Sequence, residues 1–133
     1  MNWIKNIFSV TNRNEINEKV DSIIESVLKK IENSGVIDAT GPYHRRLIYR
    51  EITMYNDELE ACIKLINEAI NLKPSYGEPF GVRAQIYLLQ LKLFDINKAR
   101  LISLAKKDLE TALKIGAKNE RNQALWKEYL TQL

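Results

Sequence analysis

One cysteine, Cys62, and one histidine, His44, are all that this 133-residue chain holds of the residues most used for disulfides, metal sites and general bases. A lone Cys forms no intramolecular disulfide, and one Cys with one His falls short of a structural zinc site. Three prolines and five glycines exclude collagen-like, linker-like and broadly disordered sequence. No apolar run approaches the roughly 18 residues of a transmembrane helix. The opening MNWIKNIFSV lacks the apolar core and small-residue cleavage site of a secretory signal. Twenty Lys and Arg against seventeen Asp and Glu leave a net charge of +3, too mild to imply nucleic acid or an acidic membrane by itself. With its unpaired thiol, the chain reads as cytoplasmic. Its length fits one domain and leaves no room for a separate cofactor domain, so no cofactor is expected.

What is present is helical periodicity. Hydrophobic residues make up 45% and charged residues 28%, a soluble globular composition. From Asn14 a stripe of Ile16, Val20, Ile23, Ile24, Val27, Leu28 and Ile31 follows helical spacing to Asn33-Ser34, with Gly35 suited to a left-handed cap. Residues 36–41 read as a loop, and Pro42 opens a helix reaching Tyr55. Asn56-Asp57 reads as a turn. A third helix carries Leu59, Cys62, Ile63, Ile66, Ala69 and Ile70, and stops before Lys73-Pro74. Glu78-Pro79 starts a fourth helix, apolar nearly all round from Phe80 to Phe94, which is the pattern of a multiply buried helix or of a homodimer face. A fifth spans Lys98 to Ile115 before Gly116. A last helix from Asn119 shows a stripe of Ala124, Leu125, Tyr129 and Leu130, with Trp126 beside it. Residues 1–13 form a short N-terminal segment. Its Trp3, Ile4, Ile7 and Phe8 share one side of a helix, as in a membrane-surface anchor or a turn packed on the core. Residues 14–133 form a single domain of antiparallel helices.

Two segments look alike: Ala61 to Pro74, and Ala105 to Ala117. Each sets small residues where helices approach and then closes with a breaker. Phe80, Ala84 and Tyr87, followed by Ala105, Leu109 and Ala112, resemble the tetratricopeptide repeat, as do Cys62, Ile66, Ala69 and Pro74 upstream. The stretch around Arg46, Tyr49 and Arg50 departs from the family's first helix, and Phe80 lies further from Ala112 than the family spaces them. The resemblance implies repeat units at about 43–76 and 77–118. It implies an all-α fold in which antiparallel helix pairs stack as a short superhelix with terminal capping helices. It also implies a protein-binding groove, lined by His44, Leu47, Glu51 and Tyr55 in the first unit and by Glu78, Gln85, Leu88 and Leu89 in the second.

Signs of catalysis are absent. There is no Gly-rich phosphate loop, nucleophile elbow or two-His helical metal motif, so no catalytic residue and no metal ligand is expected. Nothing positions Cys62 or a serine beside His44. Glu58 and Glu60, two apart on a helix, face different ways. The rival to protein binding is RNA or single-stranded nucleic acid, held by Arg45, Arg46 and Arg50 with Tyr43 and Tyr49 interleaved. Arg46 and Arg50, four apart, share a helix face in this reading. Lys106-Lys107 reads as solubility charge. The expected protein is therefore a non-enzymatic interaction module that binds another protein, a toxin or a peptide segment, through its groove and the patch from Tyr43 to Tyr55. Frequent Ile, Asn and Lys (16, 12 and 13 residues) fit an AT-rich bacterial gene, hence an immunity protein or a small secretion chaperone.

Overall fold

The computed structural model describes residues 2–41, 46–94, 97–116 and 120–133, with side chains from Arg13 onward. These residues hold six α-helices and no strand: α1 (Asn2–Ser34), α2 (Val36–Ala39), α3 (Tyr49–Leu72), α4 (Glu78–Leu93), α5 (Lys98–Ile115) and α6 (Glu120–Thr131). The all-α expectation holds; α4 and α5 begin and end, and α6 begins, within a residue or so of where the sequence places them. Gly35 takes φ 79° between α1 and α2, and Gly116 takes φ 103° after α5, conformations that a Cβ disfavours.

Three expectations are corrected. The helix before Gly35 starts at Asn2 instead of Asn14, because nothing in Thr11-Asn12-Arg13-Asn14 removes a backbone donor. Residues 2–13 are part of α1, and the Trp3, Ile4, Ile7 and Phe8 stripe lies outside the residues whose side chains are described. The loop expected at 36–41 contains α2. There Ser34 Oγ accepts the Val36 N–H at 3.1 Å, and buried Thr40 donates to the Val36 carbonyl at 2.7 Å. The turn expected at Asn56-Asp57 is absent. No Gly or Pro interrupts residues 43–73, the apolar stripe passes through Ile52, Tyr55 and Leu59 unbroken, and Asn56 accepts a hydrogen bond from Gln90. The helix pair expected within 43–76 is thus one helix over its described part.

Packing follows the apolar faces. Val27 and Ile31 of α1, Val36 of α2, Leu59, Cys62, Ile63 and Ile66 of α3, and Val82, Ile86 and Leu93 of α4 form one buried cluster. A second joins Ala84 of α4, Ala105, Leu109 and Ala112 of α5, and Trp126 of α6. The small residues let α4 and α5 approach closely, which is the role their spacing suggests. Two faces differ from expectation. Leu28, on the α1 stripe, is 43% exposed. In α6 it is Trp126 that is buried, at 2% exposed, while Leu125 faces outward, because the indole has the largest area to hide and a glycine opposite it makes room.

Buried polar groups pin the helices to one another. Arg83 donates to Asp108 and Asn67, Gln90 Nε2 to Asn56 and Glu60, and Asn122 Nδ2 to both Glu78 oxygens. Tyr76, in the turn after α3, donates to Asp21 Oδ1 at 3.3 Å, and the Lys73 ammonium lies 4.8 Å from its ring centre. Burial, with the negative charges of Asp21 and Glu78, pushes the Tyr76 phenol up to about 12. Both states are protonated below pH 10, so the whole contribution is present there. Above it the unfolded chain ionises first, and stability falls as the pH rises towards 12. Denaturant titrations between pH 9 and 12 should show this loss in the parent protein, and a shallower one in Tyr76→Phe.

Candidate functional site

An apolar groove of about 400 Å³ runs between α1, α2, α4 and α6. Leu28 and Ile31 of α1, Ile37 of α2, and Leu88 and Leu89 of α4 line it. Glu32, Gln85 and Lys92 supply polar edges, and Tyr129 of α6 closes one side. Ile37 is 53% exposed and Leu28 is 43% exposed, so large aliphatic side chains stand open to solvent at its rim. The volume lies in the range of about 300–1,000 Å³ common to ligand pockets. Local sequence explains the geometry. The left-handed turn at Gly35 redirects the chain after α1, and this sets Ile37 beside Leu28 and Ile31. One face of α4 presents Gln85, Leu88, Leu89 and Lys92 at helical spacing.

Three residues expected from the sequence, Gln85, Leu88 and Leu89, are brought together here. Glu78 is not part of this lining: it is 7% exposed, sits in the first turn of α4, and accepts both Asn122 hydrogen bonds. Leu47 and Tyr55 are half-buried against the larger core cluster. Leu47 also lines a separate hollow of about 340 Å³ with Thr40, Arg46, Ile52 and Lys92. Glu51 lies in the first turn of α3, where its carboxylate accepts the Ile48 N–H at 3.4 Å. Arg50 is exposed. Tyr43, His44 and Arg45 lie outside the described residues. The shared face expected for Arg46 and Arg50 does not form, because Arg46 precedes α3 and only Arg50 is helical. Tyr49 opens the helix at 82% exposed.

Leu28, Ile31, Glu32, Ile37, Lys92 and Tyr129 were missed as groove residues. The first two were visible as one stripe of α1, but Ile37 stood in a stretch read as loop. Nothing local marks the approach of α1 to α4.

Cys62 borders another hollow, of about 360 Å³, with Lys30, Asn33 and Glu58. It is buried, and burial pushes its thiol above the ordinary range, which keeps it in the weakly nucleophilic protonated form. Among the described residues no three His, Cys, Asp or Glu side chains are gathered to hold a metal, and no helix is long and apolar enough to cross a membrane.

Compared with protein-family profiles, curated proteins and solved structures, the chain matches none.

Proposed function

We propose that the protein is a non-enzymatic interaction module whose groove takes an amphipathic helical segment of another protein. The observation that carries this reading is the open apolar lining of Leu28, Ile31, Ile37, Leu88 and Leu89, with a carboxylate, Glu32, and an ammonium, Lys92, beside it. A helix laid in such a groove fills it with side chains spaced three and four apart and offers charged flanks to the rim.

Helix order supports a repeat-like arrangement. α1 packs on α3, α3 on α4, α4 on α5, and α5 on α6, while α1 also touches α4. Lys19 meets Glu68, and Asp21 meets Tyr76, near the end of α3. The last turn of α1, by contrast, borders Glu58 and Leu59 nearer the start of α3, which supports reading the two helices as an antiparallel pair. In this reading the pairs are α1 with α3 and α4 with α5, and α6 is the cap. α1 and α4, the first helix of each pair, then line the groove with α2 and the cap; the tetratricopeptide resemblance likewise implies a groove lined by first helices, though with its first unit at 43–76.

A photo-crosslinking side chain at Ile37, in cells that express the protein, tests this. The expected product is one partner protein crosslinked through a segment with apolar residues at helical spacing. Leu28→Asp with Ile37→Asp should weaken its binding at least about tenfold, since buried apolar anchors dominate such interfaces, and should leave the fold intact because both side chains are exposed. Unchanged binding in the variant, or crosslinks only to nucleic acid or to a second copy of this chain, would overturn the reading. Its narrower form is an immunity role: where the partner is a toxin, coexpression should restore growth, and the double variant should not.

A further inference from the structure

We propose that the outer face of α5 binds the phosphate backbone of a nucleic acid duplex. This surface contributes no residue to the groove, and the inference stands apart from the groove's function. α5 exposes Lys98, Arg100, Lys106, Lys107 and Lys114, against one exposed carboxylate, Glu110. Its other acid, Asp108, is turned inward and held by Arg83, with Arg83 Nε 2.7 Å from Asp108 Oδ2. A chain of twenty cations and seventeen anions thus gathers charge of one sign on one helix.

The cations are ordered. Arg100, Lys107 and Lys114 recur every seven residues, a step that turns only about 20° around an α-helix. At about 1.5 Å per residue they stand about 10 Å apart, in a row about 20 Å long. Lys106 stands about 100° round from Lys107, at the other edge of the exposed face. Among the described residues Lys19 pairs with Glu68 and Arg83 with Asp108, and none of these four makes such a pair, while Arg100 borders a hollow that Glu60 also lines.

The rest of the face selects the ligand. Ser103, Glu110 and Ala99 lie between the row and Lys106, and Thr111 lies beside the row. The one large apolar side chain exposed on α5, Ile115, is its last residue, about 100° round from Lys114. Protein interfaces need apolar or aromatic anchors at their centre and are depleted in Lys. A helix lying on a membrane buries an apolar face. Single strands are gripped by aromatic side chains that stack on bases. A duplex backbone asks only for cations along a straight edge, and gives affinity without base reading.

Fluorescence anisotropy of the full chain with a labelled duplex of about 20 base pairs, titrated across salt concentrations, tests the proposal. Three phosphates neutralised by the row predict a log–log salt slope of about −2.7. Arg100→Glu with Lys107→Glu and Lys114→Glu should weaken binding at least about tenfold, and Glu110→Gln should strengthen it. Lys29→Glu with Lys64→Glu and Lys127→Glu makes the same change in net charge elsewhere and should weaken binding far less. Equal loss in both triple variants would overturn the proposal in favour of net charge. So would no binding at low salt, preference for the single strand, or binding only to phosphatidylserine vesicles.

Discussion

Gly81→Ala should lower stability by about 3 kcal/mol and release α6 from the rest of the fold, as overpacking and loss of a buried indole combine. The six-membered ring of Trp126 rests directly on the Gly81 backbone in the second turn of α4, and a methyl group there would occupy the place of its Cζ2 and Cε2 atoms. Nothing flexible can give way, because the obstacle is a rigid ring in a fully packed site. The indole must leave, and Tyr129 and Leu130, packed on the same cluster, follow it. Urea unfolding followed by circular dichroism measures the loss. Trp126→Ala alone should cost about 3–5 kcal/mol. In the double variant the new methyl meets empty space, so the two losses should fall well short of adding, and alanine's better helix propensity returns about 0.5–1 kcal/mol. Strict additivity would show that the glycine is there for some other reason.

This contact also shows where sequence reading stops. Periodicity and punctuation are local, and they placed α4, α5 and the start of α6 almost residue by residue. The buried Ala84, Ala105, Leu109 and Ala112 followed from their small-residue spacing. Gly81, one residue within a helical pattern, gave no sign that an indole forty-five positions later would need its missing side chain. Asn56-Asp57 misled for a related reason. Both residues favour turns when their side chains bond to the local backbone, but Asn56 spends its oxygen on Gln90 of α4, and α3 continues.

The groove was legible by halves. Gln85, Leu88 and Leu89 share a face of α4 that any helical wheel displays. Their counterparts on α1 and α2 belong to the site because α1, packed along α3, also lies against α4. A two-helix reading of residues 43–72 hides that arrangement, and so it assigned the other half of the groove to His44, Leu47, Glu51 and Tyr55. Leu28 carried the clearest unused signal: it sits on the stripe of α1 but toward its edge, where an apolar residue covers less of the core and more of a cleft.

Removing Arg83 should cost almost as much as removing the indole, for an electrostatic reason. The guanidinium makes a two-pronged contact with Asp108, Nε to Oδ2 at 2.7 Å and Nη2 to Oδ1 at 2.8 Å, and its third nitrogen donates to Asn67 at 2.9 Å. One side chain of α4 thereby ties α3 to α5. The Asp108 hydrogen bonds hold the Arg83 proton more tightly than usual, outweighing the opposing effect of burial. Arg83→Met leaves the Asp108 carboxylate, only 5% exposed, without its cation, a situation that costs about 3–5 kcal/mol. Arg83→Lys should recover only part of this, because one ammonium cannot reproduce the planar fork and reach Asn67 as well. The decisive variant removes both charges. Arg83→Met with Asp108→Leu buries no unpaired ion, and pairs exchanged for apolar side chains of similar volume are often neutral in stability. Urea unfolding should return the double variant to within about 1–2 kcal/mol of the parent. A double variant as unstable as Arg83→Met would instead place the main effect in the Asn67 hydrogen bond, and α3, not α5, would be the helix that Arg83 chiefly secures.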